Sequence, residues 1–266
     1  MSVTHLSVDR SLSDLWDFST TIDLLGYDFM QQALLAMVLL GLLGGLLGPL
    51  IVARQMSFAV HGASELSVTG AAAALLIGFS VNLGGVIGAV IAAAVFGFLG
   101  NKARERDSVI GVVMAFGLGL AVLFLSLYGR SGPALALLTG QVVSVNTGGL
   151  IAVAITTVIV VAGMAVIYRP MLFASVDPRV AAARGVPMRT LSVVFAILVG
   201  LTCAQGVQII GALLVMSLLI TPGAAAARLT ANPALVLCFS VVFAEIAAVG
   251  GLILSLAPGL PVSVFV

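Results

Sequence analysis

Charged residues are scarce in this sequence, and their scarcity sets the first limits on its function. Only 8% of the 266 residues are Asp, Glu, Lys or Arg, whereas a soluble domain carries about 25%. Lys102 is the one lysine, and it lies outside any G-x-x-x-x-G-K-[ST] loop, so the chain has no P-loop for ATP. So few cations leave no basic face for nucleic acid. These absences exclude a soluble enzyme, a nucleic-acid-binding protein and an ATPase of the P-loop type.

Cysteine is also scarce, and the sequence motifs of zinc proteases are missing. Cys203 and Cys238 both lie in apolar runs, so a disulfide framework is not expected. The sequence contains no H-E-x-x-H, which leaves a zinc metalloprotease without support. We therefore expect a protein that is not itself an enzyme.

Apolar residues, by contrast, make up 61% of the chain and fall into long uncharged runs. A helix needs about 20 such residues to cross the hydrocarbon core of a bilayer. Leu66–Asn101, taken with the stretch from Met56, is expected to form two helices with a turn at Gly78–Asn82, and Thr190–Ala227 is expected to form two with a break near Ala204–Val207. The sequence thus predicts an all-α integral membrane protein with about eight transmembrane helices in residues 29–266. The runs are Phe29–Ala53, Leu66–Asn101, Ser108–Gly129, Ser131–Tyr168, Thr190–Ala227 and Pro233–Leu256.

Three further segments lie before, between and after these spans. Residues 1–28 carry five aspartates against one arginine, and an apolar stripe in them predicts an interfacial helix. Ala134–Val143 is too short to cross alone and is expected to re-enter the membrane or lie at its surface. Val262–Val266 begins another apolar run, but five residues cannot form a span. The apolar stripe in residues 1–28 consists of Leu12, Leu15, Trp16 and Phe18.

The positions of Lys and Arg predict the orientation, because these residues are enriched in cytoplasmic loops. Nearly all of them follow the first, third, fifth or seventh span, and only Arg10 and Arg130 fall on the other side. We therefore predict a multi-pass membrane protein whose acidic N-terminus lies outside the cell. The cytoplasmic cations are Arg54, Lys102, Arg104, Arg106, Arg169, Arg179, Arg184, Arg189 and Arg228.

The cytoplasmic segment 169–189 carries the signals of a short capped helix. Asp177 is suited to cap a helix that starts at Pro178, because its carboxylate can accept from the first free backbone N–H groups. Gly185 follows Arg179–Arg184 where a glycine commonly ends a helix, and a proline comes soon after it. The segment is either a plain connection or a docking surface for a cytosolic partner.

Two ionisable residues near the start of the second span are the leading candidates for a site. His61 and Glu65 lie four residues apart, which places them on one face of a helix with Cβ atoms about 5–6 Å apart. Imidazole and carboxylate together suit Zn²⁺, Mn²⁺ or Fe²⁺. The spacing also fits a hydrogen-bonded pair that only ties two helices together. Ionisable groups inside a bilayer are costly, which favours a functional role.

Other polar or helix-breaking residues are candidates for lining a pathway. Glu245 lies in an otherwise uncharged stretch, where it can line a pathway, take up a proton or pair with a neighbouring helix. Pro222 is expected to interrupt the seventh span, and broken helices often mark binding sites in transporters. The candidate pathway residues are Met56, Ser64, Thr69, Gln208, Pro222 and Glu245.

Several stretches resemble one known family, the permease subunits of bacterial ABC importers for zinc, manganese or iron. Phe29–Ala36 is similar to the start of the family's first span, and Arg54–Phe58 resembles its arginine-methionine junction. Asp177–Gly185 is similar to its cytoplasmic coupling segment. Gln208–Val215, followed by Thr221–Ala224, resembles its Q-V-V-G-x-L-L-V and P-A/G-A run. The matches occur in the family's order across the chain from about Gly26 onward.

The resemblance implies a metal pair and a set of partners. The family's pair is an aspartate five residues beyond that methionine and a histidine four residues further. Counting from Met56 leads to His61 and Glu65, so the two residue types are exchanged while the spacing is kept. The implied protein is a homodimeric permease of the bacterial plasma membrane that transports a divalent metal ion and holds no permanent cofactor. Its implied partners are membrane lipid, cytosolic ABC ATPase subunits and an extracellular metal-binding protein. The implied ATPase contacts are Asp177, Pro178, Arg179, Arg184 and Gly185.

Two other transporter classes remain open at this point. A proton-coupled secondary transporter would use Glu245 or Glu65 as its proton site. Such carriers often contain an internal repeat, and the sequence shows none at a fixed period. An ABC permease for a metal chelate such as a siderophore would have less use for a His61–Glu65 pair.

Overall fold

The computed structural model describes residues 26–98, 103–129 and 145–256, and the regular structure in these ranges is entirely α-helical. Eight of the helices have 18 or more residues, and α6 is a single short one of 6 residues. The helices are α1 (Asp28–Ala53), α2 (Ser57–Leu76), α3 (Val81–Phe98), α4 (Ala103–Tyr128), α5 (Thr147–Val176), α6 (Pro178–Ala183), α7 (Met188–Ile210), α8 (Ala212–Leu229) and α9 (Pro233–Leu256).

The predicted all-α membrane fold is confirmed in the described part of the chain. Six helices there, α1, α3, α4, α5, α7 and α9, are long and apolar enough to cross a membrane. The helix α8 contributes a shorter apolar stretch, Leu214–Leu229. The helix α2 has 20 residues but is more polar, since it carries His61 and Glu65. The segments 1–25, 134–143 and 262–266, with their predicted interfacial or short apolar elements, lie outside the described residues.

Contacts between helix ends show how the helices run. Gln32 near the start of α1 donates to Thr147 at the start of α5. At the opposite end, Arg54 beyond α1 bonds to Ser192 in the first turns of α7. Tyr168 of α5 donates to the backbone oxygen of Pro233, where α9 begins. We call this second end the arginine end, because it bears Arg54, Arg169, Arg179, Arg184, Arg189 and Arg228.

The bundle is held together by close helix contacts at glycine. An added Cβ on Gly45 of α1 would lie 2.4 Å from the Cα of Val241 in α9. A Cβ on Gly70 of α2 would lie 2.3 Å from the backbone oxygen of Gly84 in α3. In a membrane no hydrophobic effect drives helices together, so close van der Waals packing of small residues does much of that work. The glycines therefore set how α1 and α2 sit among their neighbours.

Two expected helix breaks are wrong, and one helix extends further than its apolar run. The break in the fifth run lies at Gly211 rather than at Ala204–Val207, because Gly211 adopts φ +87°, which only glycine reaches without strain. The helix α8 continues through Pro222 and is not interrupted. Proline removes only the N–H of residue 222, and α1 packs closely on this part of α8, since a Cβ on Gly44 would lie 2.8 Å from the backbone oxygen of Leu218. The helix α5 runs past Tyr168 to Val176, so the first residues of the segment 169–189 are helical.

Substitution of Gly45 tests the packing. Gly45→Ala should lower stability by about 1–3 kcal/mol, because the new methyl group meets backbone that cannot move aside. Gly250→Ala is the matched control: it lies in α9 with nothing within 4 Å of the added Cβ, and it should gain a little helix propensity. Thermal aggregation of the detergent-solubilised proteins measures the difference. Equal aggregation temperatures for the two variants would contradict the packing.

Candidate functional site

The turn between α1 and α2 fixes where the candidate site begins. The backbone N–H of Met56 donates to Ile51 at 2.9 Å and that of Gln55 donates to Val52 at 3.1 Å, which is the bonding pattern of a Schellman C-cap. Gln55 occupies the left-handed position with φ +52°, although this position usually holds glycine. Met56 and Ile51 are both buried, as the motif's apolar contact requires. The turn therefore starts α2 in a defined direction.

A line of incompletely buried side chains runs along α2. We call it the α2 stripe, and its members recur every three or four residues, as one face of a helix requires. On the other side of α2, Val60, Ser64 and Ser67 are buried against the rest of the bundle. The two candidate ligands thus share the more open side of α2, although Thr69 of this side contacts α4. The α2 stripe consists of Phe58, His61, Glu65, Thr69 and Ala73.

His61 has an unused ring nitrogen. Its Nδ1 is buried and has no hydrogen-bond partner within the described residues. The imidazole ring lies beside Phe58, with ring centroids 6.5 Å apart. A buried nitrogen without a partner is costly, so a ligand at this atom would lower the free energy of the site. The alternative of a hydrogen-bonded pair that uses Nδ1 is not realised.

The donor set fits a divalent transition metal, but it is incomplete within one chain. An imidazole nitrogen and a carboxylate one turn apart are ligands that Zn²⁺ and Mn²⁺ accept. Across residues 26–98, 103–129 and 145–256, no group of three His, Cys, Asp or Glu side chains converges. Water, or groups beyond this described set of side chains, would have to supply further ligands. A site with two protein ligands holds an ion weakly, which suits transient passage.

The other candidate residues of α2 have different surroundings. Thr69 lies on the α2 stripe, but its hydroxyl donates to the backbone oxygen of Gly117 in α4 at 2.9 Å. Ser64 is fully buried on the opposite face and donates to the backbone oxygen of Val60 at 3.0 Å. Met56 is buried in the turn before α2. Of these three, the structure brings only Thr69 to the face that carries the candidate ligands.

The remaining pathway candidates lie on other helices and are not gathered around His61. The amide Nε2 of Gln208 donates to the backbone oxygen of Asn82 at 3.4 Å. Pro222 is buried in α8, next to the residue that packs on α1. The carboxyl group of Glu245 lies 3.1 Å from the Cβ position of Gly41, between α9 and α1. The structure therefore separates Glu245 from the α2 stripe.

Ser67 is a further buried polar residue of α2 that the sequence alone does not point to. Ser67 is 1% exposed, and its hydroxyl has no hydrogen-bond partner within the described residues. A Cβ on Gly85 would lie 3.2 Å from this hydroxyl and 3.3 Å from Nε2 of Gln208. Serine is common in membrane helices, so nothing in the sequence singled out this one.

The predicted capped helix at the arginine end is confirmed as α6. One carboxylate oxygen of Asp177 accepts from the backbone N–H groups of Arg179 and Val180 at 3.1 and 3.0 Å. Pro178 is the first helical residue, and Gly185 ends the helix with φ +80°. Ala181 is buried beneath the helix, whereas the side chains of Arg179 and Arg184 are exposed. The segment thus presents two guanidinium groups on a rigid turn.

Comparison with known proteins identifies relatives along nearly the whole chain. The model of the ABC 3 transport family matches residues 26–266. The manganese transport system membrane protein MntC of Halalkalibacterium halodurans is 33% identical over 235 residues, which cover 87% of this chain and 80% of that protein. The high-affinity zinc uptake system membrane protein ZnuB of Haemophilus influenzae is 26% identical, with 86% and 88% covered. The structure of PsaBC from Streptococcus pneumoniae in complex with Fab superposes with a TM-score of 0.81 at 23% identity, covering 92% and 89%.

Metal binding by the purified protein tests the donor set. His61→Gln and Glu65→Gln should each weaken Zn²⁺ binding by about tenfold or more, since each removes one of two protein ligands. Ser64→Ala alters the buried face of the same helical turn and should leave the affinity unchanged. Equilibrium dialysis in detergent measures all three variants. Unaltered binding in both ligand variants would reduce the pair to a structural contact.

Proposed function

Because the chain belongs to the ABC 3 transport family, we propose that it is the membrane-spanning permease subunit of an ATP-driven importer of divalent metal ions. The observation that carries the proposal is the position of His61 and Glu65 on the open side of α2. The names of MntC and ZnuB, which specify manganese and zinc, support these two ions as substrates. Fe²⁺ accepts the same two ligand types and is a third candidate.

The open α2 stripe supports a homodimer with the ion path between the copies. One chain offers a single imidazole and a single carboxylate, because no third ligand converges on them in the described ranges. A second copy related by a twofold axis would place another His61 and Glu65 across the path, as symmetric interfaces do. Four protein ligands would then be within reach of an ion, with Phe58 and Thr69 above and below them on each stripe.

Energy for transport would come from a partner, since this sequence has no P-loop of its own. The exposed helix α6 at the arginine end is the proposed docking surface for a cytosolic ATPase. Asp177, Pro178 and Gly185 fix the shape of the surface, and Arg179 and Arg184 offer charge to an acidic groove. We infer that the arginine end faces the cytoplasm and that the N-terminus lies outside. An extracellular metal-binding protein would deliver the ion to the opposite end.

The position of Glu245 speaks against a proton-driven carrier. Its carboxyl group packs against Gly41 between α9 and α1, away from the α2 stripe. A proton site that shares the ion path would have to lie on the stripe, where Glu65 is the one carboxylate. We therefore assign Glu65 to the metal ion and Glu245 to helix pairing.

Uptake into proteoliposomes that contain the permease and its cognate ATPase, with the extracellular metal-binding protein added outside, tests the function. His61→Ala and Glu65→Ala should each lower ATP-dependent uptake of Mn²⁺ or Zn²⁺ by about tenfold or more, because each variant leaves one protein ligand per chain. Both variants should still assemble with the ATPase, which co-purification checks. Wild-type uptake that persists without ATP and collapses with the proton gradient would overturn the proposal in favour of a secondary carrier.

A further inference from the structure

One side chain links the helix that carries the candidate site to the segment that carries α6. The guanidinium group of Arg54 donates from one terminal nitrogen to the hydroxyl of Ser192 at 2.6 Å. Its other terminal nitrogen lies 3.1 Å from the sulfur of Met171. Arg54 is separated from these two residues by 138 and 117 positions in the chain, so the contacts are purely tertiary.

The two partners of Arg54 lie on either side of residues 177–187, which carry α6. Met171 belongs to the last turns of α5, which ends at Val176 immediately before the cap residue Asp177. Ser192 belongs to the first turns of α7, which begins at Met188 immediately after the segment. A force applied to α6 therefore reaches both contacts through short stretches of helix.

The turn that joins Arg54 to the start of α2 is rigid. Arg54 is two residues before Met56, and α2 begins at Ser57. The Schellman hydrogen bonds and the left-handed Gln55 leave the turn little freedom. His61 follows one turn into α2. Displacement of Arg54 thus moves the start of α2 and, with it, the ring of His61.

We propose that Arg54 is a positioning residue that transmits the movement of α6 to α2. This inference rests on the proposed function, because it needs an ATPase that moves α6. A planar guanidinium suits the role, since its nitrogens can hold an oxygen and a sulfur acceptor at once in fixed geometry. A hydrogen bond donated by a charged group is also stronger than a neutral one, so the link can carry a displacement.

A transmission role and a purely structural role differ in what they predict. If Arg54 transmits movement, its loss should separate ATP hydrolysis from metal movement. If Arg54 only stabilises the bundle, assembly, hydrolysis and uptake should fall together. The ratio of metal ions transported to ATP hydrolysed distinguishes the two, because this ratio does not depend on the amount of folded complex.

The experiment measures that ratio in proteoliposomes that contain the full permease and its ATPase, with the extracellular metal-binding protein added outside and Mn²⁺ as the probe. Arg54→Gln should lower the ratio by about fivefold or more while ATP hydrolysis stays within about twofold of wild type. Ser192→Ala should give a smaller loss, because the contact with Met171 remains. The double variant should be no worse than Arg54→Gln alone, as residues in one linkage are not additive. Arg54→Lys should be intermediate, since a single ammonium cannot reproduce the planar fork.

Two further variants make every outcome decisive. Arg228→Gln removes an exposed guanidinium at the same end and should leave the ratio unchanged. Arg184→Glu should instead weaken ATPase co-purification, which would mark a docking failure rather than a transmission failure.

If Arg54→Gln does not assemble, Ser192→Ala decides alone. An unchanged ratio in Ser192→Ala and in any assembled Arg54 variant, or a proportional fall of uptake and hydrolysis, would overturn the inference. Wild type without ATP-dependent uptake would instead refute the proposed function.

Discussion

An imidazole and a carboxylate inside a membrane protein's helix bundle are costly unless water, a proton or a cation compensates them. This constraint explains the arrangement of α2. Its apolar and small residues pack against the bundle, whereas His61 and Glu65 lie along the side that remains open. Nδ1 of His61 has no hydrogen-bond partner among the described residues. A metal ion in a path between two copies would supply what the single chain lacks.

The packing of small residues makes that arrangement possible. Backbone contacts at Gly70 and Gly84 hold α2 against α3, and those at Gly45 hold α1 against α9. With these faces closed, α2 has only one side left for polar groups. The same closeness makes the bundle stiff, so a displacement at the arginine end reaches α2 without being lost in loose side chains. Arg54 lies where such a displacement would enter α2.

Local signals in the sequence located most of the helices and the α6 cap. Asp177, Pro178 and Gly185 specify a helix start and stop through their own backbone chemistry, so they were readable without tertiary context. The break after α7 was misplaced because Gly206 and Gly211 look alike in sequence, and only packing decides that Gly206 stays helical against Val215. Pro222 does not end α8, because the loss of one hydrogen bond is tolerated in a helix that neighbours pack against, as α1 does at Gly44.

The candidate pair itself was predictable from its spacing, whereas its surroundings were not. The i and i+4 positions place His61 and Glu65 on one face of any helix, but which face is open depends on the packing of α2 against α3, α4 and α7. The contacts of Arg54 likewise join residues more than one hundred positions apart, which no local pattern reveals. The unpartnered hydroxyl of Ser67 arises from the same long-range packing.

Water access along α2 shows whether His61 and Glu65 face an ion path. Single cysteines would be introduced at positions 61, 65 and 69 of the α2 stripe and at 60, 64 and 67 of the buried face, in a chain whose Cys203 and Cys238 are replaced by alanine. The reagent would be a charged, membrane-impermeant thiol modifier, applied to the assembled complex. If His61 and Glu65 face the path, only the cysteines at 61, 65 and 69 should be labelled. Mn²⁺ should slow the reaction at position 69 when His61 and Glu65 are intact. Labelling confined to lipid-soluble reagents, or equal on both faces, would contradict it.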